Sequence, residues 1–232
     1  MAFLTTRVRK PDTDDYKKLA RVMKYLQNFP YLPLILGSDG KGNIYWPVDA
    51  AFAVHNNMRG HTGAHMSMGQ GTVIGISAKQ KMNTRSSTEA ELVGVDQPLP
   101  MILWSRLFST AQGMKFDDNI LYQDNESAIR MENNGKASCT KRTKYIEIQY
   151  FYIIDKSKLG EITIEHCPTK KMIGDYFTKP LAGLLFKKFR NIIMGNVDGD
   201  MPKYRNSNKK SCEARQIREL AITKKSKQAA NE

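Results

Sequence analysis

Acidic residues stand at four places where runs of regular structure start or stop, and together they suit one chemistry. Asp49 closes the strand-like run Asn43–Asp49. Glu89 and Glu91 open a helix-like run after Ser86. Asp124 closes the run Ile120–Gln123, and Asp175 lies within Met172–Thr178. Carboxylates gathered in one place repel each other, and a hard cation such as Mg²⁺ relieves that repulsion through oxygen ligands. Two such ions, about 4 Å apart, can hold both the attacking water and the leaving oxygen of a phosphodiester. In an open α/β sheet the reactive crevice lies beyond the carboxyl ends of parallel strands. Asp49 and Asp124 meet there if their strands are neighbours.

Taken singly, each acid has an ordinary structural role open to it. Asp124 precedes Asn125-Glu126-Ser127, a normal helix-start composition. Both Ser86-x-x-Glu89 and Thr88-x-x-Glu91 match the capping box. The two glutamates are two positions apart, about 200° around a helix, so only one of them faces a shared site. If Ser86 is the cap, Glu89 is its partner and Glu91 is free.

These acids sit in a strongly basic chain, with a net charge of +13 over 232 residues. A polyanion such as nucleic acid is the commonest partner for such a protein. Hydrophobic residues make up 41% and charged residues 25%, which fits a globular protein rather than a disordered one. No run approaches the roughly 18 apolar residues of a membrane span, and the N-terminus does not read as a signal peptide. Cys139, Cys167 and Cys212 are too few and too scattered for a disulfide framework or a cysteine-rich zinc site. A cytoplasmic or nuclear setting is expected.

The elements that must position the acids can be read from periodicity. Tyr16, Leu19, Val22, Met23 and Leu26 fall at helix spacing, and Pro30 and Pro33 end the pattern. A single short helix is not a domain, so it must pack on something else. Three strands follow, at Asn43–Asp49, around Ala64–Met68 and at Thr72–Ser77, with a turn at Gly69–Gly71. Helices are predicted over Glu89–Asp96 and Met101–Gln112, with Pro98 and Pro100 between them. A strand at Asn119–Asp124 precedes a helix at Ser127–Glu132. Tyr145–Ile154 reads as a helix, Glu161–His166 as a strand, and Met172–Thr178 and Leu184–Met194 as helices. An antiparallel start followed by βαβ units implies a mixed sheet with helices against it. Residues 196–232, with nine Lys/Arg against five Asp/Glu, read as a basic, mostly disordered tail.

Five strings in series add a family resemblance. They are Asp49-Ala50-Ala51-Phe52-Ala53-Val54-His55 with Arg59-Gly60-His61-Thr62-Gly63; Lys79-Gln80-Lys81 with Ser86-Ser87-Thr88-Glu89-Ala90-Glu91-Leu92; Tyr122-Gln123-Asp124-Asn125 with Ser127-Ala128-Ile129; Lys141-Arg142-Thr143-Lys144-Tyr145-Ile146; and Gly174-Asp175-Tyr176-Phe177-Thr178-Lys179-Pro180-Leu181. In this order they resemble the ribonuclease H domain of copia-type retrotransposon polyproteins, over roughly residues 44–194. Lys17–Leu26 resembles the segment joining polymerase to ribonuclease H. The polymerase's paired-aspartate strand is absent, so the chain reads as a domain detached from its polymerase.

The resemblance implies a ribonuclease H-like five-stranded mixed sheet, three antiparallel strands and then βαβ units, flanked by helices. It divides the chain into a connection remnant (1–38), the ribonuclease H-like domain (39–195) and the tail. It implies hydrolysis of RNA in RNA–DNA hybrids during reverse transcription, with two Mg²⁺ ions (or Mn²⁺) held by Asp49, Glu91, Asp124 and Asp175. Glu91 is preferred to Glu89 because Glu91-Leu92-Val93-Gly94 aligns with the family's E-L-x-A pattern. His166 is a candidate for assisting product departure. His61 and His65, falling in a predicted turn and strand, read as incidental. Two departures stand out. Tyr145 replaces a usual histidine, and Gly174 replaces a usual alanine, which weakens the helix presenting Asp175 by about 1 kcal/mol. The alternative reading is a degenerate fragment that binds nucleic acid without cutting it. A third, a basic structural protein with incidental acids, requires the four carboxylates to lie far apart, and a separation between Asp49 and Asp124 well beyond about 10 Å rules out a shared metal site.

Overall fold

The computed structural model describes residues 2–129 and 144–196, all within one compact unit spanning Met1–Met201. Five strands form its sheet: β1 Asn43–Ala51, β2 His61–Met66, β3 Ile74–Lys79, β4 Asp118–Gln123 and β5 Thr163–His166. Their order is β3-β2-β1-β4-β5. β1, β2 and β3 pair antiparallel, while β4 lies parallel to β1 and β5 parallel to β4. This is the five-stranded mixed sheet, three antiparallel strands followed by parallel ones, expected from the sequence. Gly69–Gln70, expected to be a simple turn, instead forms a two-residue ladder with Gly37–Ser38.

Pro47 sits in the central strand, where a residue without an N–H removes a ladder bond. The β1–β2 ladder accommodates it. Tyr45 bridges Ser67 in isolation, continuous pairing begins only at Val48 with Ala64, and the gap falls at Pro47.

Alternation along β1 divides its residues between two faces. Ile44, Trp46 and Val48 join the main core with Ala64, Met66 and Leu121. Helices α2 Ser87–Asp96 and α3 Leu99–Ala111 contribute Val95, Leu99 and Ile102, and Ile153 comes from α4 Lys144–Lys158. Burying side chains of this size stabilises by about 1.5–3 kcal/mol each. Pro98 falls between α2 and α3 rather than inside a helix. The run Tyr145–Ile154 is helical, within α4.

The opposite face of β1 carries Asp49 and is covered by α5 Asp175–Thr178. The expected helix over Met172–Thr178 is shortened: the four-residue α5 begins only at Asp175, and a separate 3₁₀ turn at Thr169–Lys171 lies just before the expected range. The last helix, α6 Gly183–Ile193, packs Phe189 and Ile192 against Ile173.

The N-terminal helix α1, Thr13–Asn28, is capped by Asp12, whose side chain accepts the N–H groups of Asp14 and Asp15. It finds its partner in α6: Tyr25 meets Phe186 edge-on, and the Arg190 guanidinium lies over Phe29. Ile35 N–H donates to the Met194 carbonyl, closing the segment onto the domain. The expected apolar stripe is otherwise unpaid by burial, since Tyr16, Leu19, Met23 and Leu26 are exposed. Among the described residues no helix is long and apolar enough to cross a membrane. The 196–232 tail, apart from Asn196, lies outside the described residues, as do Arg130–Thr143, including the first part of the Lys141–Ile146 string.

Candidate active site

Strand register places the first two acids together. Pro47 pairs with Tyr122 across the parallel β1–β4 ladder, so two residues further on Asp49 comes level with Asp124. Glu91 reaches the same point from α2. Ser86 is the cap of that helix, its hydroxyl accepting the Glu89 N–H at 3.1 Å. Glu89 folds back to accept the Arg85 N–H. With the cap fixed at Ser86, Glu91 turns inward and is buried. Asp49, Glu91 and Asp124 each offer a ligand atom within 4.8 Å of the others. This closeness goes against a structural protein with scattered acids, which requires the carboxylates to lie far apart.

The electrostatics match an unneutralised acidic cluster. Burial pushes the Glu91 carboxyl up to about 9, with the charges of Asp49 and Asp124 adding to the shift. Burial likewise raises Asp49 and Asp124 above the usual carboxylate range, and in Asp124 the charge of Asp49 contributes. Asp49 and Glu91 are buried, whereas Asp124 is partly open to solvent, so the cluster is approached from the Asp124 side. The donor set is three carboxylates, with only the Lys179 ammonium nearby, 3.7 Å from Asp49 Oδ1, and clustered carboxylate oxygens fit a hard divalent cation.

Asp175 is placed differently. It is buried at the start of α5 but stands outside the mutually close triad among the described residues. Lys179 donates to Asp175 Oδ1 at 2.6 Å and lies 3.7 Å from Asp49 Oδ1. Its burial opposes the ammonium charge, yet the hydrogen bond to Asp175 and the charge of Asp49 leave its pKa raised. Thr178 Oγ1 donates to Asp49 Oδ2. Thr178 and Lys179 thus join the site, although spacing alone does not single them out. The signal was present in the string Gly174–Leu181, which carries Asp175, Thr178 and Lys179 together.

Two glycines let helices approach Asp49 closely from both faces. A methyl on Gly174 would lie 2.8 Å from Asp49 Cβ and 2.9 Å from its backbone nitrogen. On the other face, a methyl on Gly94 of α2 would lie 2.8 Å from Ala50 Cβ. Gly174 is therefore not simply a weak helix residue, as its sequence position suggests. It is also the N-cap of α5, outside the helix interior where the propensity penalty applies.

His166 ends β5 opposite Gln123 and is exposed. His61 and His65 both lie on β2, where i, i+4 spacing puts them on one face of a strand. Ser77 donates its hydroxyl to the Phe177 carbonyl at 2.7 Å. That assigns His61 Nε2–H as the donor to Ser77 Oγ, and leaves its Nδ1 to accept from His55 Nε2–H at 3.0 Å. His65 stacks on Phe177 and meets Thr72 Oγ1 through Nδ1. These histidines support α5 rather than form a metal pair.

No protein-family model matches the chain. It is 27% identical over 188 residues to the retrovirus-related Pol polyprotein from transposon RE2 of Arabidopsis thaliana, covering 80% of this chain and 13% of that protein. With the corresponding polyprotein from transposon RE1 it is 26% identical over 192 residues, covering 82% and 13%. The chain thus spans 13% of the length of these curated relatives. Among solved structures, LC11-RNase H1 from compost aligns with TM-score 0.40 at 15% identity, over 56% of this chain and 87% of that one. The same protein in complex with an RNA/DNA hybrid aligns with TM-score 0.37 at 15% identity.

Proposed function

We propose that this chain, a ribonuclease H-like region of a copia-type retrotransposon Pol polyprotein, hydrolyses the RNA strand of RNA–DNA hybrids. The observation that carries this reading is the convergence of Asp49, Glu91 and Asp124 from two parallel strand ends and one helix. Those three residues would hold divalent metal, with Asp175 as the proposed fourth ligand and Mg²⁺, or Mn²⁺, as the ion. When bound, the metal supplies positive charge against which water and a phosphodiester can be aligned for in-line hydrolysis. Asp49, anchored by the Thr178 hydroxyl, keeps its carboxylate facing Asp124. Lys179 holds Asp175, and its ammonium must yield for Asp175 to act as a ligand. Basic side chains supply salt-sensitive affinity for the hybrid, and 2′-hydroxyl contacts across the minor groove select RNA. The setting is cytoplasmic or nuclear, and the polymerase region of the same polyprotein is the expected partner.

One observation favours a second reading, a fragment that binds hybrid without cutting. Lys179 places a cation between Asp49 and Asp175, where a metal-loaded site needs free oxygens. A labelled RNA–DNA hybrid incubated with Mg²⁺ separates the two. Cleavage by the wild type that falls at least about 100-fold in Asp124→Asn supports the enzyme. Salt-dependent hybrid binding with no Mg²⁺-dependent cleavage supports the binding module. Equal cleavage by wild type and Asp124→Asn sinks the proposed site.

A further inference from the structure

Gln123 ends β4 immediately before Asp124 and is wholly buried. Its Oε1 accepts the N–H of Asp124 at 2.9 Å and the N–H of Asn125 at 3.5 Å. These backbone donors fix which end of the amide is oxygen, so Nε2 must face the other way. There Nε2 is buried without a hydrogen-bond partner. The Glu91 Oε2 atom is also buried and unpartnered. The two groups are neighbours, close enough for the Gln123 amide to offset part of the rise in the Glu91 carboxyl's pKa. An orphaned donor beside an orphaned acceptor is an arrangement that a small side-chain adjustment satisfies, and leaving both unmet is costly.

We propose that Gln123 is a positioning residue, its Nε2 donating to Glu91 Oε2 while its Oε1 holds the Asp124 backbone. The amide thereby locks the helix-borne glutamate to the strand-borne aspartate. One Glu91 oxygen is held and the other is left for an ion. The inference rests on the proposed metal reading of the triad. Hydrogen-bonding partners that orient metal ligands commonly change metal affinity by about 10- to 100-fold when removed. The plainer reading, a glutamine that only caps the chain turn at Asp124 and Asn125, predicts no dependence on Glu91.

The test is Mn²⁺ binding by calorimetry on the full chain, for wild type, Gln123→Met, Glu91→Gln and the double variant. Gln123→Met should weaken binding about tenfold, and the same change should have little further effect once Glu91 is Gln. Unchanged affinity in Gln123→Met, or an equal loss in the Glu91→Gln background, overturns the proposal. A second measurement needs no variant of Gln123. In the wild-type NMR spectrum, one Gln123 amide proton should be shifted and slow to exchange, and it should move in Glu91→Gln. A freely exchanging amide pair, unmoved by Glu91→Gln, also overturns the proposal, even if Gln123→Met fails to fold. Absence of Mn²⁺ binding by the wild type overturns the metal reading instead, and the amide protons then decide the hydrogen bond alone.

Discussion

Asp49, two residues before the end of β1, lies level with Asp124, the residue just past the end of the parallel neighbour β4, both two residues beyond the Pro47–Tyr122 pair. One carboxylate is thereby set beside another by backbone pairing, with no side-chain adjustment required. Glu91 adds a third from α2, within 4.8 Å of both. Lys179 offsets this crowding only in part, since all three carboxyls stay raised, and measurable consequences come from that fact.

Glu91→Gln should stabilise the metal-free protein. The substitution keeps the shape of the side chain and removes a carboxyl that burial and the charges of Asp49 and Asp124 force to hold a proton which the unfolded chain releases. A gain of about 1 kcal/mol would raise the melting temperature by about 2–4 °C for a domain of this size. The same variant should lose the further rise that the wild type shows on adding Mg²⁺. Scanning calorimetry with and without Mg²⁺ checks both, and a destabilised apo variant would count against a penalty for burying this carboxyl.

Metal affinity should increase with pH. The folded Glu91 carboxyl titrates near 9, against an ordinary value of 4.5. Its raised value makes a stability contribution that is full below about 4.5 and is lost as pH rises towards 9. A cation must displace that proton, so each pH unit below 9 should weaken binding up to about tenfold per proton released. Mg²⁺ titrations followed by thermal shift at pH 6, 7 and 8 should show tighter binding at each step. A flat profile would mean that Glu91 is not a ligand.

Gly174→Ala should destabilise, although alanine is the better helix former. The added methyl would sit 2.8 Å from Asp49 Cβ, and crowding of this kind costs about 1–3 kcal/mol. The displacement would also move Asp49 or α5, so metal affinity should fall with stability. Urea unfolding midpoints and Mn²⁺ binding measured on the same preparation test this. A more stable Gly174→Ala would show that the segment carrying α5 shifts freely.

Acid should expose the histidine support of α5. Burial lowers His65 to about 3 and His61 to about 4, with the neighbouring His55 adding to the shift at His61. Both stay neutral in the fold, so the unfolded chain takes up their protons first. Their contribution to stability is complete above pH 6.5 and is lost as pH falls from 6.5 towards about 4 for His61 and about 3 for His65. The raised carboxylates act in the opposite sense, so the wild type should be compared with His65→Leu. Their difference in unfolding free energy should narrow by about 1.4 kcal/mol per pH unit below pH 6. A difference independent of pH would show that His65 is charged in the folded state.

The strands and helices that carry the acids were legible locally, because each follows from two-residue or 3.6-residue periodicity and from nearby Pro, Gly and capping residues. The order of strands and helices was enough to indicate a mixed sheet, and the five strings, read in series, indicated the family. Matches over about four fifths of the chain bear that family out. Less legible were places where a tertiary neighbour overrides local preference. The helix expected over Met172–Thr178 is shortened to α5, and the apolar stripe of α1 is left largely exposed apart from its contacts with α6.

By itself, the sequence determined which residues were available for the site and which elements would bear them, since residue type and short-range spacing are local properties. Only the tertiary structure decided which glutamate enters it. Ser86 and Thr88 are both competent caps, and the structure uses Ser86, which keeps Glu89 at the helix end while packing buries Glu91. Tertiary packing also decided that Asp175 is held by Lys179, that Thr178 anchors Asp49 from 129 positions away, and that Gly174 gives its methyl space to Asp49. Each of these depends on close approach between segments far apart in the chain, and close approach is set by packing across the sheet.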